Sequence, residues 1–307
     1  MVKRWMAVAA LTTIGAAPAE RVVRIDDPFV AVSVNGAAFR VRIDPAAPNM
    51  PLIAKTADRG AKSRRMGISY VFGVGSTTIV ADTEVARVDY GAGPVKQRIG
   101  RTRQPFAAVA PQGSIGPGGL PEPVVRFVLH APLVGERTVT MAMVRPGFPE
   151  TLFGSGWAAS EAQIMFDGAP LRVRIDPLHP RTLATAGAAV RIARHNDGTL
   201  SGEAVSTEIR FGIERPVRTM TLARPLAIGP LAIDRLGVRI ADNGKADAIR
   251  EADSGPVKTD PDEIVVTASG KKRDLRRDVV SLGADVLARC SSIVFDRAAA
   301  VIRLTCA

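Results

Sequence analysis

The chain has few of the residues on which metal and redox chemistry depend. Its 307 residues include only 2 cysteines and 3 histidines, and none of them shows the spacing of a metal-binding motif. No glycine-rich loop leads into a lysine as in phosphate-binding sites, and the residues around Ser155 lack the pattern of a serine-hydrolase nucleophile. We therefore expect no metal, no other cofactor and no serine-hydrolase chemistry.

Aromatic residues and long apolar segments are also scarce. Aromatics make up 5% of a chain that is 46% hydrophobic, so the core must be built mainly from aliphatic side chains. Valine-rich runs interrupted by proline and glycine favour β-strands. The apolar run at 6–16 is too short for a stable transmembrane segment.

The first 19 residues have the pattern of a secretory signal peptide. Lys3 and Arg4 precede the apolar run, and Ala-Pro-Ala at 17–19 is typical of a cleavage site. We expect residues 1–19 to be removed and the mature protein to be periplasmic or secreted. A short N-terminal anchor is the alternative.

The chain has fewer acidic than basic residues. Against 41 basic residues there are 30 acidic ones, a formal net charge of +11. The densest basic runs, at 62–65 and 271–277, carry no interleaved aromatic residues, so the sequence does not favour nucleic-acid binding. A solvated basic surface is the simpler interpretation, and an anionic partner is the alternative.

A duplicated hexapeptide organises the chain. Residues 40–45, Arg-Val-Arg-Ile-Asp-Pro, recur unchanged at 172–177. Asn-Gly at 35–36 and Asp-Gly at 167–168 precede the two copies by the same number of residues, and such pairs are strong hairpin-turn signals. Each copy is therefore predicted to be the return strand of a hairpin that ends at an aspartate, Asp44 or Asp176.

These repeats predict an all-β fold of two similar lobes. The first lobe is expected at 20–145, the second at 161–307, with an inter-lobe connection at 146–160. The charged stretch at 242–278 is expected to be a long loop inserted in the second lobe, in part disordered.

The two cysteines flank a predicted C-terminal hairpin. If Asp296 pairs with Ala300, the turn is formed by residues 297–299, and Cys290 lies opposite Cys306. In an exported protein this arrangement favours a disulfide. Two buried free thiols are the alternative.

Paired hairpins that end in an apolar residue and an aspartate resemble the aspartic proteases, and in particular bacterial retropepsin-like proteins in a two-lobed, pepsin-like arrangement. The resemblance implies an acid-protease fold in which two carboxylates share a proton, activate water and protonate the substrate carbonyl. Asp44 and Asp176 are at the matching positions. A polypeptide would then bind in the cleft between the lobes.

The sequence departs from the Asp-Thr/Ser-Gly motif of that family. Pro45 and Pro177 replace the hydroxyl residue, and Ala46 and Leu178 replace the glycine. Proline supplies neither a hydroxyl nor an N–H group to the loop that supports the carboxylates. We therefore expect a degenerate, non-hydrolytic polypeptide-binding protein. An active aspartic endopeptidase is the alternative, as is a chain in which both aspartates only cap turns.

Two further segments are functional candidates. The family's flap, a hairpin over the cleft, matches residues 68–80 with Gly73 and Gly75, which otherwise form an ordinary edge hairpin. A segment in the insert resembles the TonB box of outer-membrane receptors and implies an envelope adaptor that contacts TonB, with an internal strand as the alternative. It comprises Pro261, Asp262, Glu263, Ile264, Val265, Val266, Thr267 and Ala268. His179 is expected to face solvent.

Overall fold

A computed structural model describes residues 19–55, 64–74, 77–102, 112–144, 158–252 and 274–307. Residues 1–18 of the predicted signal peptide (1–19), Gly75, most of the inter-lobe connection and the TonB-box-like segment lie outside these ranges. The described part is mostly β-sheet, as the sequence predicts. No helix in it is long and apolar enough to cross a membrane.

Twenty strands are described. In the first half they are β1 (Glu20–Arg24), β2 (Phe29–Val34), β3 (Ala37–Ile43), β4 (Leu52–Ala54), β5 (Arg64–Val74), β6 (Thr77–Asp89), β7 (Pro94–Thr102), β8 (Gly113–Ile115), β9 (Val124–Val128) and β10 (Arg137–Met143). In the second half they are β11 (Glu161–Phe166), β12 (Ala169–Ile175), β13 (Leu183–Thr185), β14 (Gly198–Arg210), β15 (Ile213–Ile228), β16 (Leu231–Arg239), β17 (Arg250–Glu251), β18 (Val279–Leu282), β19 (Cys290–Asp296) and β20 (Val301–Cys306).

Helical segments are short by comparison. The α-helices are α1 (Ala186–Asn196) and α2 (Ala284–Leu287), and 3₁₀-helices span Pro117–Gly119 and Leu275–Arg277. Most of α1 is buried, because alanines and two β-branched residues cover its inner face.

The strands form two sheets. The seven-stranded sheet has the order β2-β3-β8-β4-β7-β6-β5, with a further pairing between β2 and β6. The other sheet has thirteen strands, and in it β9 and β10, from the first half of the chain, pair with β19 and β20 from its end. The two halves of the sequence are therefore joined through one sheet.

The two copies of the hexapeptide occupy equivalent local settings. Turns with positive φ at Asn35 (50°) and Asp167 (50°) join β2 to β3 and β11 to β12. Strand β3 then pairs in parallel with β8, and β12 pairs in parallel with β18. The predicted hairpins are present, and each is held at its end by a neighbouring strand from later in the chain.

The core is aliphatic, as the composition predicts. Valine, isoleucine, leucine and alanine supply most of its fully buried side chains, and Phe127 and Phe295 are among its few aromatics. Their ring centroids lie 5.8 Å apart in an edge-to-face arrangement. A second, smaller cluster joins Met50 and Leu52 to Val74 and Phe211. This cluster connects the seven-stranded sheet to the turn between β14 and β15.

The C-terminal hairpin contains the predicted disulfide in a different register. Asp296 pairs with Val301 instead of Ala300, so the turn has four residues. This longer turn is stabilised because the Asp296 carboxylate accepts a hydrogen bond from the N–H of Ala299 (2.8 Å). A bulge between Cys290 and Ser292 takes up the extra residue, and Cys290 again lies opposite Cys306, to which it is disulfide-bonded.

The two described ends of the predicted insert pack against the rest of the fold. Ala246 and Ile249 are buried in the core, and β17 pairs with β14. Asp278 is fully buried, and its carboxylate accepts a hydrogen bond from Arg191 of α1 (3.2 Å). The residues from 242 to 252 and from 274 to 278 therefore belong to the folded domain.

Candidate functional site

Asp44 and Asp176 are buried at the ends of equivalent strands. The N–H of Asp44 donates to the carbonyl of Ile115 (2.9 Å), and the N–H of Asp176 donates to that of Leu282 (2.9 Å). Only 3% of Asp44 and 7% of Asp176 is exposed, so both carboxyl groups are largely removed from water. The structure thus brings the two predicted site residues to one place.

A single guanidinium bridges the two aspartates. Nη1 of Arg210 lies 3.4 Å from Oδ2 of Asp44, and Nη2 lies 3.0 Å from Oδ2 of Asp176. The Arg210 side chain is 10% exposed. Because arginine stays protonated at all ordinary pH values, the two carboxylates share a permanent cation.

Arg210 is held there by an unusual turn. It is the last residue of β14, and the following Phe211 and Gly212 form a two-residue turn with φ of 56° and 70°. Positive φ is costly for a bulky residue such as Phe211. Its side chain is nevertheless buried, and its ring packs edge-to-face on Phe72 with centroids 5.7 Å apart. This packing offsets the backbone strain and fixes the turn over the aspartates.

The β5–β6 hairpin contacts this turn from the other side. Nη2 of Arg215, in β15, donates to the carbonyl of Val74 (2.5 Å) and to the hydroxyl of Thr77 (2.6 Å). Gly73 lies in β5 and is exposed. The hairpin proposed from the sequence as a flap is therefore fastened to the β14–β15 hairpin at its tip.

More arginines surround the pair. Arg42 and Arg174 precede the aspartates by two residues, and alternation along a strand places each on the same face as its aspartate. Nη2 of Arg42 lies 3.8 Å from Oδ2 of Asp44. Arg174 forms an ion pair with Glu161. The site is thus rich in positive charge.

Burial and neighbouring charges shift two pKa values. Burial raises the pKa of Asp176; the Arg210 guanidinium opposes this rise, and the Asp44 carboxylate adds to it. Burial, and then the positive charges of Arg174, Arg215 and Arg210, lower the pKa of Arg239 to about 9. Burial and the neighbouring guanidinium groups thus both disfavour the charged form of Arg239.

The loops that replace the family motif support the carboxylates in their own way. The N–H of Ala46 donates to Oδ1 of Asp44 (2.9 Å). The carbonyls of Asp44 and Asp176 accept hydrogen bonds from the N–H groups of Ala47 and His179, each at 3.0 Å. Pro45 and Pro177 follow the aspartates in tight turns that do not require their N–H groups.

Two residues of the loop that follows Asp176 are partly buried. Leu178 is half-buried. His179 is half-buried as well, and its ring nitrogens lie 2.6 Å from the carbonyl of Arg181 and 3.1 Å from that of Glu208 in β14. The prediction that His179 faces solvent is wrong, because its ring links the loop to the β14–β15 hairpin.

Sequence reasoning missed the arginines. Arg42 and Arg174 are visible in the duplicated hexapeptide, and strand alternation would have placed them beside the aspartates. Arg210 carries no comparable signal, since it lies 166 residues from Asp44 and 34 from Asp176. Among the residues that the structure describes, no group of three His, Cys, Asp or Glu side chains is arranged to hold a metal ion.

Comparisons with known proteins find similarity among solved structures alone. No family model matches the chain, and no curated protein matches it. Among solved structures, an aspartic proteinase from Irpex lacteus is similar, with 10% sequence identity and a TM-score of 0.44 over 91% of this chain and 93% of that one. A similarity of this size says nothing about activity.

Proposed function

We propose that this chain is an exported, two-lobed protein of the aspartic-protease type that binds extended polypeptide and does not hydrolyse it. The observation that carries the proposal is the Arg210 guanidinium, which forms ion pairs with both Asp44 and Asp176. The duplicated hexapeptide and its two equivalent hairpins support the two-lobed part of the proposal.

Hydrolysis by two aspartates needs a shared proton and a bound water. One carboxylate must accept a proton from the water while the other, protonated, donates to the substrate carbonyl. The Arg210 guanidinium opposes the rise in the pKa of Asp176 that burial and the Asp44 carboxylate cause, and it occupies Oδ2 of both aspartates, which the water would otherwise contact. With Arg210 in place, Asp44 and Asp176 form a structural ion-pair centre.

Binding of an extended polypeptide is supported by the edge of the β5–β6 hairpin. Strand β5 ends the seven-stranded sheet, and β6 is its one partner among the described strands. Ile68 and Val71 of β5 are 47% and 56% exposed. A free edge with exposed apolar side chains can pair with an added strand through main-chain hydrogen bonds.

The test is peptide cleavage by the purified mature protein between pH 3 and pH 7, with a mixed peptide library. We expect no cleavage by the wild type, Asp44→Asn or Asp176→Asn, while circular dichroism reports a folded protein in each case. Cleavage by the wild type that both substitutions abolish would establish the alternative, an aspartic endopeptidase, and overturn the proposal.

An adaptor role through residues 261–268 is a separate proposal that rests on the sequence alone. It predicts that deletion of these eight residues abolishes co-purification with TonB without lowering the melting temperature. Equal recovery of TonB with the deletion variant would end this proposal and leave the binding function untouched.

A further inference from the structure

A large cavity lies apart from the aspartates. Its volume is about 800 Å³, and neither Asp44 nor Asp176 lines it. It opens to solvent and is lined by parts of β7, β11 and β12, by the loop that follows the 3₁₀-helix Pro117–Gly119, and by the turn between β19 and β20. Sites for small molecules commonly have volumes of 300–1,000 Å³, roughly, so this cavity is large enough for one.

The lining is cationic. Four positively charged side chains line the cavity, those of Lys96, Arg98, Arg172 and Arg297, against one described carboxylate, Glu161. Glu161 is already shared, since Arg172 (3.2 Å) and Arg174 both donate to it. Lys96 and Arg297 have no ion pair among the described residues, so Glu161 leaves two of the four lining cations without a paired carboxylate.

Arg297 shows this imbalance most clearly. Its Nη1 donates to the carbonyl of Gly118 (3.0 Å), and its Nη2 donates to those of Leu120 (2.8 Å) and Glu122 (2.7 Å). Among the described residues it has only carbonyl partners and no ion pair. Burial lowers the pKa of Arg297, and the Glu122 carboxylate only partly opposes this.

Asn49 provides a neutral donor in the same wall. Its Oδ1 accepts hydrogen bonds from the N–H of Gly118 (2.8 Å) and the hydroxyl of Ser160 (3.2 Å). This fixes the orientation of the amide and leaves its NH₂ group without a partner among the described residues. Gly118 and Gly119 permit this packing, since a Cβ on Gly119 would lie 1.7 Å from the carbonyl oxygen of Asn49.

Apolar side chains complete the cavity. Met50, Leu120, Met143 and Val144 line it together with several alanines. A cavity that combines apolar walls with a few charged groups fits a ligand with an apolar body and one charged end. Since the lining is positive, the charged end must be an anion.

We propose that this cavity binds a small amphiphilic carboxylate, with the carboxylate near the arginines, Lys96 and the Asn49 amide and the apolar body against the methionines. The proposal goes beyond peptide binding and does not depend on it, because it involves neither the aspartates nor the β5 edge. Decanoate is a suitable probe, and decyltrimethylammonium has the same chain with the opposite charge.

The first experiment is calorimetric titration with decanoate below its micelle concentration. We expect saturable binding of one decanoate per chain and none of decyltrimethylammonium. Lys96→Glu should weaken decanoate binding about tenfold or more, whereas Lys245→Glu, an exposed lysine outside the cavity, should leave it unchanged. Both lysines are exposed, so neither substitution should disturb folding.

A second measurement locates the ligand. In a spectrum of methyl-labelled methionine, decanoate should shift the signals of Met50 and Met143 and leave that of Met165, which is 68% exposed and does not line the cavity. The proposal is overturned by absence of saturable binding, by equal binding of the cationic probe, by equal affinity in Lys96→Glu, or by unchanged Met50 and Met143 signals. Asp44→Asn, which tests the peptidase, should bind decanoate like the wild type.

Discussion

Replacement of Arg210 by methionine tests whether the aspartate pair is a structural ion-pair centre. Methionine keeps much of the length of the side chain and removes its charge. Two carboxylates would then share a buried site with no cation between them. The side chains of Asp44 and Asp176 are only 5% and 10% exposed, so water cannot replace the lost partner effectively.

The magnitude follows from this burial. Removal of one partner from a buried ion pair costs about 3–5 kcal/mol, and little discount for solvent screening applies at an exposure of 10%. We expect Arg210→Met to lower the free energy of unfolding at pH 7 by about 4 kcal/mol. Adding Asp176→Asn should restore part of this loss, because the remaining carboxylate then has no like charge beside it.

The loss should depend on pH in a defined direction. Burial raises the pKa of Asp176 above its ordinary value of 3.8, and Arg210 is the main group that opposes this rise. Without Arg210 the folded-state pKa of Asp176 should rise further. Protonation of Asp176 then stabilises the folded state. This contribution to the free energy of unfolding is fully present below the unfolded-state pKa of Asp176, and it is lost as the pH rises through the folded-state pKa. Arg210→Met should therefore be most destabilising at neutral pH and least near pH 3.5.

The assay is urea unfolding followed by circular dichroism at pH 3.5, 5 and 7. The matched control is Arg224→Met, since Arg224 is 64% exposed and pairs with an exposed carboxylate. It should change stability by less than about 0.5 kcal/mol at every pH. A loss below 1 kcal/mol for Arg210→Met at pH 7, or an equal loss at pH 3.5, would refute the reasoning about this site.

Three further predictions concern the elements around the site. Phe211→Ala should cost about 2–4 kcal/mol in urea unfolding, because the buried ring is lost and the strained φ remains; an unchanged midpoint would contradict its role as an anchor. Cys290→Ser with Cys306→Ser should cost about 3 kcal/mol, since the bridge spans a sequence separation of 16, and equal stability of oxidised and reduced wild type would argue against this. Gly119→Ala should lower the melting temperature by several degrees, since a Cβ would meet the Asn49 carbonyl, and a wild-type melting curve would show that the loop can move.

Local signals in the sequence predicted much of the fold. The Asn-Gly and Asp-Gly pairs placed two hairpin turns correctly, because both residues of such turns take positive φ. Alternation then placed Asp44 and Asp176 at strand ends. The C-terminal register was wrong by one residue because a side-chain hydrogen bond in the turn and a bulge at Ser291 compensate for each other. Such paired irregularities leave no trace in a hydrophobic pattern.

The candidate site was only half predictable. Its acidic residues belong to a repeat, which a single sequence reveals. Its bridging arginine belongs to a long hairpin whose tip reaches the aspartates only through tertiary packing, with Phe211 against Phe72. Gly116, Gly118 and Gly119 lie so close to Asn49 that a Cβ at any of them would collide with it, and no local pattern in the sequence indicates this contact. In each case the structure depends on contacts between segments that are distant in the sequence.

The bridge formed by Arg210 has a consequence for how this protein can evolve. One arginine forms ion pairs with two carboxylates, so the three positions cannot change independently. Loss of Arg210 alone removes the ion pair of Asp176 and leaves Asp44 with the longer contact to Arg42, and loss of both aspartates leaves Arg210 without either carboxylate. Substitutions at Asp44, Asp176 and Arg210 should therefore occur together among descendants of this chain. A lineage that lost the arginine would be an exception if it kept both aspartates. Only in that combination could selection for catalytic activity outweigh the loss of stability.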